Sequence, residues 1–235
     1  VGKFKKGANY LSPEIDIIAD EPLDVNYRKD LSNALNTWIK SLISEELKDL
    51  TNLIRLKNKN QYLRALAFQL YESNGVLKRE KVKDIVNLIS KEDRKQLRQL
   101  GIKIGRYHIF LPRMLKPKAV SLRISLWKFH NDIMSDNKVP QSGLNFLVDE
   151  GSNFNSNFLL LCGFEKFKNF YVRVDILEKL FLKIIENTKK KDFQINADMM
   201  NLLGSTKENF YELLNLMNYK KKNKEKDIFF YIGDK

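Results

Sequence analysis

GIKIGRYHIFLPRMLKPKAVSLRISLWKFHN, residues 101–131, changes its hydrophobic period partway along. Ile102 and Ile104, then Tyr107, Ile109 and Leu111, alternate as an extended segment does, with Gly105 allowing a tight turn or a close backbone approach. Pro112 ends that extension. Pro117 fits the first turn of a following helix, where its missing amide costs nothing, and the helix is expected to run to about Asn131. Val120, Leu122, Ile124 and Leu126 also alternate like a strand, but the proline start and the continuous length favour helix. The same stretch carries seven lysines and arginines and no acidic residue, interleaved with Tyr107, Phe110, Trp127 and Phe129. Positive charge mixed with aromatic area suits a phosphate backbone with bases or protein packed nearby.

A helix apolar on most faces sits deep among neighbours, so Arg113, Lys116, Lys118, Arg123 and Lys128 are expected to emerge around its start and exposed edge. Arg106 and Tyr107 join them from the hairpin. An arginine offers a phosphate a fork of donors, and a lysine offers a mobile point charge. The structural alternative weighs equally: these side chains lie over apolar surface and pair with residues 11–26, which hold five acids and no base.

The whole chain agrees in sign, with 42 basic against 29 acidic residues, a net charge of +13 and a pI near 9.6. Such an excess favours polyanion binding but equally reflects a lysine-rich and asparagine-rich composition. Length bounds the architecture more firmly, since 235 residues at 43% hydrophobic content bury one large core or two smaller ones. No run of about 18 apolar residues is present, so no membrane span is expected. Cys162 is the single cysteine, which excludes an internal disulfide and fits a reducing compartment, with the cytoplasm the expected location. The start at Val1 reads as an excised piece of something longer.

The expected fold class is mainly α with small β hairpins: a helical accessory domain over 1–134, a connection over 135–157, and a winged-helix-like domain over 158–235. Ile15, Ile17 and Ile18 read as a short strand, and Leu31, Ala34, Leu35, Trp38, Leu42 and Ile43 place a long amphipathic helix from Tyr27 to about Asp49. Stripes over 61–72 and 79–89 give it partners, with the tryptophan and leucines expected in the core. Ser90-Lys91-Glu92-Asp93 has capping-box spacing before a short helix that Gly101 terminates.

Beyond the asparagine- and serine-rich connection, Phe158 to Cys162 and Phe170 to Val174 read as paired strands, followed by a helix carrying Ile176, Leu177, Leu180, Phe181, Ile184 and Ile185. A helix over 197–203 ends at Gly204, and Ser205-Thr206-Lys207-Glu208 repeats the capping-box spacing. A terminal hairpin closes the chain, with Lys220, Lys221, Lys222, Lys224 and Lys226 as a basic wing. The helix over 206–217 has only Lys207 against Glu208 and Glu212, poor for a phosphate-walled groove, so the wing is the better contact surface.

The segment GIKIGRYHIFLPRMLKPKAVSLRISLW closely resembles the stretch after the motor in alphaproteobacterial ATP-dependent helicases of superfamily 2, kin of the mitochondrial RNA-degradosome helicase. NYLSPEIDIIADEPLD, YLRALAFQLYESNGVL, CGFEKFKNFYVRVDILEKL and FQINADMMNLLGSTKENFYELLNLMNY look like the same family. The resemblance implies a C-terminal accessory region whose partners are RNA or DNA and the upstream RecA-like motor domains of the same chain; a nuclease or other protein is the partner of the competing reading, a docking scaffold. ATP and Mg2+ belong to that upstream motor. No cofactor is expected here, because there is no GxxxxGK[ST], and Asp20-Glu21 followed by Pro22 is not a magnesium-binding acidic box.

His108 and His130 with one cysteine do not make a Cys/His zinc site. Cys162, in the apolar run Leu159-Leu160-Leu161, reads as buried rather than nucleophilic. His108 touches a nucleic acid or is a packed, hydrogen-bonded histidine. No nucleophile, base and orienting group assemble into an enzyme, and a protein-docking scaffold is the competing function.

Overall fold

The computed structural model describes residues 2–19, 23–54, 56, 60–134, 137–149, 155–188, 191–222 and 227–233. The fold is mixed α/β, with helices predominating and small antiparallel sheets. The chain forms two compact units, Val1–Ile104 with Ile109–Val139, and Gly105–His108 with Pro140–Lys235.

In the first unit β1 (Gly2–Lys5) and β2 (Glu14–Ile17) pair antiparallel. Helix α1 (Val25–Glu46) starts where the Asp24 carboxylate accepts from the amides of Asn26 and Tyr27. The expected single helix breaks at Leu47, and α2 (Lys48–Ile54) follows with Leu50 and Leu53 in the core. Trp38, expected inside, is 56% exposed; Ile39 and Ile43 carry the buried stripe instead. Helix α3 (Gln61–Glu72) buries Leu63, Leu66, Ala67 and Leu70.

Strand β3 (Val76–Lys78) and a 3-10 turn over Arg79–Val82 lead into α4 (Lys83–Leu88). The Ser90 hydroxyl accepts from the Asp93 amide to begin α5 (Lys91–Gln99), as its spacing required, and Gly101 leaves it at φ +82°. Strands β4 (Lys103–Ile104) and β5 (His108–Phe110) then pair, giving a sheet of order β3-β5-β4. A 3-10 turn over Pro112–Leu115 precedes α6 (Pro117–His130), which has Pro117 in its first turn.

The second unit differs more from expectation. Residues 158–162 are helical, within and just after α7 (Ser156–Leu161), because the Asn155 side chain accepts from the amides of Asn157 and Phe158. Cys162 is buried at its end. Strand β6 (Phe146–Val148), inside the expected connection, pairs with β8 (Phe170–Arg173), whose other neighbour is β7 (Phe164–Lys166). Helix α8 (Val174–Asn187), strand β9 (Asp192–Gln194), helices α9 (Ala197–Leu203) and α10 (Lys207–Leu216), and strands β10 (Tyr219–Lys221) and β11 (Ile228–Tyr231) complete it. The last sheet has the order β10-β11-β9. Phe193, Phe210, Leu213, Leu214 and Phe229 form its core with the α8 residues Ile176, Leu177 and Leu180.

The turn at 105–108 belongs to this second unit through one carboxylate. Glu178 of α8 is only 2% exposed, and its Oε2 accepts from the Arg106 amide at 2.6 Å while Oε1 accepts from the amides of Tyr107 and His108 at 2.8 Å each. Gly105 is required there, since a Cβ at that position would lie 2.2 Å from the Glu178 Cδ. His108 is buried, with Nε2 3.1 Å from Glu165 Oε2 and Nδ1 3.7 Å from Glu178 Oε1. It is thus the packed histidine, not a surface contact.

Burial disfavours the imidazolium, but the two carboxylates outweigh it and raise the His108 pKa above its ordinary value. Burial likewise opposes the Glu178 carboxylate, and His108 with the three amides overcomes it and lowers that pKa. A raised imidazole contributes stability that is full below about pH 6.5 and is lost as pH rises through the folded value. The melting temperature of wild type is therefore expected to fall as pH rises from mildly acidic to mildly alkaline, and His108→Gln to remove that part of the slope. Parallel melting profiles of the two proteins across this range would show that His108 enters the fold uncharged.

Candidate nucleic-acid interface

Sequence proximity places the cations of the centre on two different supports. Arg106 lies in the turn of the second unit, exposed, with Nη2 donating to the Tyr231 hydroxyl at 3.3 Å. Tyr107 beside it is turned into the apolar core: its ring meets Phe181 edge-on at 5.7 Å, and burial, aided by Tyr219, raises its hydroxyl pKa. Tyr107 is therefore a packing residue, correcting its place among the contacts.

The remaining central cations belong to the first unit. Arg113 is exposed in the 3-10 turn, with Nη1 3.6 Å from Asp49 Oδ1. Lys116, the N-cap of α6, and Lys118, in its first turn, are both exposed. No side chain caps this N-terminus and no acidic residue occupies its first turn. The orphan amides and the positive end of the helix dipole thus stand between three cations.

Arg123 does not emerge at all. It is 0% exposed, and its Nε donates to the Met114 carbonyl at 3.1 Å. Spacing explains the error: Arg123 lies on the same helical face as Val120, Ile124 and Leu126, all buried, and a face that closed takes its cation inside. The guanidinium ties α6 to the 3-10 turn before it, and so fixes where Arg113 and Lys116 stand. Lys128 is half-buried and donates to the Asn137 carbonyl, which also withdraws it from the exposed set.

The acidic opening segment does not neutralise these cations among the described residues. Asp16 lies 4.0 Å from Arg28, and Asp49, which the sequence did not single out, meets Arg113 instead.

At the terminal hairpin Lys220 is exposed, while Lys221 lies 3.1 Å from Asp227 and 4.8 Å over the Tyr211 ring. Lys222 pairs with Asp192. Asp227 also accepts from Lys207 at 2.8 Å and from the Tyr211 hydroxyl. Lys207 first, then Tyr211, hold its carboxyl well below the usual range, and Asp227 in turn raises Lys207 to about 12. Lys224 and Lys226 lie outside the described residues. Sequence reading missed Asp227 because it stands alone after a lysine run, with nothing local to mark it as a shared partner.

The separate roles of buried and exposed cations are testable. Arg123→Met leaves the Met114 carbonyl without its donor and is expected to destabilise the protein by about 2 kcal/mol. Lys118→Gln, at an exposed position, is expected to leave the melting temperature within about a degree. Denaturant unfolding of both variants checks this, and an Arg123→Met protein as stable as wild type would return Arg123 to the surface set. Compared with protein families, with curated proteins and with solved structures, the chain finds no match.

Proposed function

We propose that this chain is a non-catalytic accessory region of an ATP-dependent helicase of superfamily 2, binding or guiding RNA or DNA beside upstream motor domains. The observation that carries the binding part is the start of α6, where exposed Lys116 and Lys118 lie at an uncapped helix N-terminus with no acid in its first turn, and exposed Arg113, 3.6 Å from Asp49, lies in the turn before it. Anions sit favourably at such an end, because amide donors point outward and the dipole is positive there. Backbone phosphates are read this way with little regard to sequence. The helicase assignment rests on the sequence resemblance alone.

The order α8, β9, α9, α10, β10, β11, with β11 between β10 and β9, supports the winged-helix-like reading of the C-terminal part. In that reading α10 is the helix expected to lie in a groove, yet its Lys207 is held by Asp227. The hairpin's Lys221 and Lys222 are paired as well. The winged part is then a support for the strand path rather than a reader of sequence.

A protein-docking role is the second reading, favoured by Tyr27 and Trp38 of α1. They are 60% and 56% exposed, and their separation brings them back to nearly the same helical face.

Oligonucleotide binding measured by anisotropy across a salt series decides between them. Wild type is expected to bind single strands with weak sequence preference. Arg113→Gln, Lys116→Gln and Lys118→Gln combined are expected to lower affinity and to reduce the salt slope by roughly one unit per lost phosphate contact. Absence of wild-type binding at low salt supports the docking role.

A further inference from the structure

An open cleft of about 580 Å³ in the first unit is lined by Arg79, Arg94, Arg98, Gly101, Ile102, Lys103 and Ile104. Four of these seven carry a positive charge and none a negative one. They come from three places in the chain: the 3-10 turn after β3, one face of α5, and β4. Arg94 and Arg98 are one helical turn apart, so their side chains rise from the same side of α5.

Arg94, Arg98 and Lys103 meet no carboxylate among the described residues. Arg94 donates from Nε to the Ile89 carbonyl at 3.4 Å and from Nη2 to the Val86 carbonyl at 3.0 Å. Neutral acceptors fix the fork and leave its charge in place. Lys103 lies over the Phe110 ring at 5.9 Å, which orients the ammonium and again leaves it charged. Among the described residues no carboxylate pairs with Arg98, which is exposed in the last turn of α5. At the Gly101 edge of the cleft, Asp49 Oδ2 would lie 3.0 Å from a Cβ at Gly101, and Arg113 already faces that carboxylate. Half-buried Ile104 adds an apolar surface beside the cations.

Gathering Arg94, Arg98 and Lys103 in one cleft is costly through mutual repulsion unless an anion shares the space. A lone phosphate fills little of such a volume, which falls in the range of clefts that hold whole organic ligands. Guanidinium forks suit phosphate oxygens, and the isoleucine surface suits a sugar or base edge.

We propose that this cleft binds a phosphodiester segment of a nucleic-acid strand, a second contact apart from the start of α6. The inference rests on the nucleic-acid reading given above and adds to it the residues Arg79, Arg94, Arg98 and Lys103.

The test uses the whole chain and a fluorescein-labelled oligouridylate, with Arg79→Gln and Arg98→Gln combined. Arg94 is left alone because its hydrogen bonds hold the end of α4 to α5. Affinity is expected to fall about tenfold, with a salt slope shallower by between one and two units. Lys91→Gln with Lys95→Gln removes the same charge from exposed positions of α5 outside the cleft, and is expected to change affinity far less. Arg98→Lys, which keeps the charge and loses the fork, is expected to fall between wild type and the double variant. Thermal melting of each variant accompanies the titrations.

Equal losses in the two double variants would mean that net charge alone matters and would overturn the cleft. An unchanged affinity in folded Arg79→Gln, Arg98→Gln protein would do the same, while leaving the α6 contact standing. Inorganic phosphate or a mononucleotide displacing the oligonucleotide at micromolar concentration would identify a small-anion site and overturn the strand assignment. Failure of wild type to bind the oligonucleotide at all would remove the nucleic-acid reading and this inference with it.

Discussion

A single buried carboxylate decides how residues 105–108 are organised. Placed alone in an apolar interior, Glu178 would take up a proton rather than remain charged. Three consecutive backbone amides and the His108 imidazole hold it ionised instead. Three amides aimed at one carboxylate require a tight backbone curl, and that curl brings the chain so close that only glycine fits at 105. The composition of the turn follows: glycine for the approach, histidine for the second charge, and Tyr107, whose own amide is also engaged, with its ring packed on Phe181. Arg106 alone is left exposed.

Arg123 performs a comparable task in the first unit, with the opposite charge. A buried guanidinium is tolerated only where acceptors meet it, and the Met114 carbonyl is one of them. The 3-10 turn over Pro112–Leu115 is thereby anchored to α6, and Met114, also fully buried, seals the same corner. In both units, buried ionic groups position an irregular segment. Regular elements satisfy their own backbone, whereas turns depend on side chains to do so.

Periodicity and capping chemistry made most helices legible. The Ser90 cap and the Pro117 start act within a few residues, so their physics is local, whereas the box read at Ser205 falls one residue early, since Thr206 is the N-cap and accepts from the Asn209 amide. Trp38 failed because a helical stripe gives a face and not its width, and the buried face runs through Ile39 and Ile43. Residues 158–162 failed because a run of leucine and phenylalanine has no period, and the Asn155 cap that decides for helix lies before it. Strand β9 is three residues long and exists by pairing with β11, a long-range contact that no local pattern announces. The site suffers the same way. Arg113, Lys116 and Lys118 follow from their exposed setting, but the burial of Arg123 depends on which face of α6 closes, and the engagement of Tyr107 on Phe181 and Glu178 far along the chain.

The same distinction bears on what a net charge of +13 means. In the second unit the cations with structural support meet carboxylates: Lys207 and Lys221 share Asp227, Lys222 meets Asp192, and Arg173 is bidentate with Asp175. In the first unit Arg94 is oriented by carbonyls and Lys103 by an aromatic face, partners that direct a charge without offsetting it. A surface whose cations are held by carboxylates presents a modest field, since each pair is nearly neutral a few ångströms away. A surface whose cations are held by neutral acceptors presents its full charge, and in a concave setting the field is focused toward the cleft. The surplus thus weighs toward Val1–Ile104 and Ile109–Val139. In the terminal hairpin, the most conspicuous basic feature of the sequence, Lys221 and Lys222 are paired with carboxylates and Lys220 is exposed.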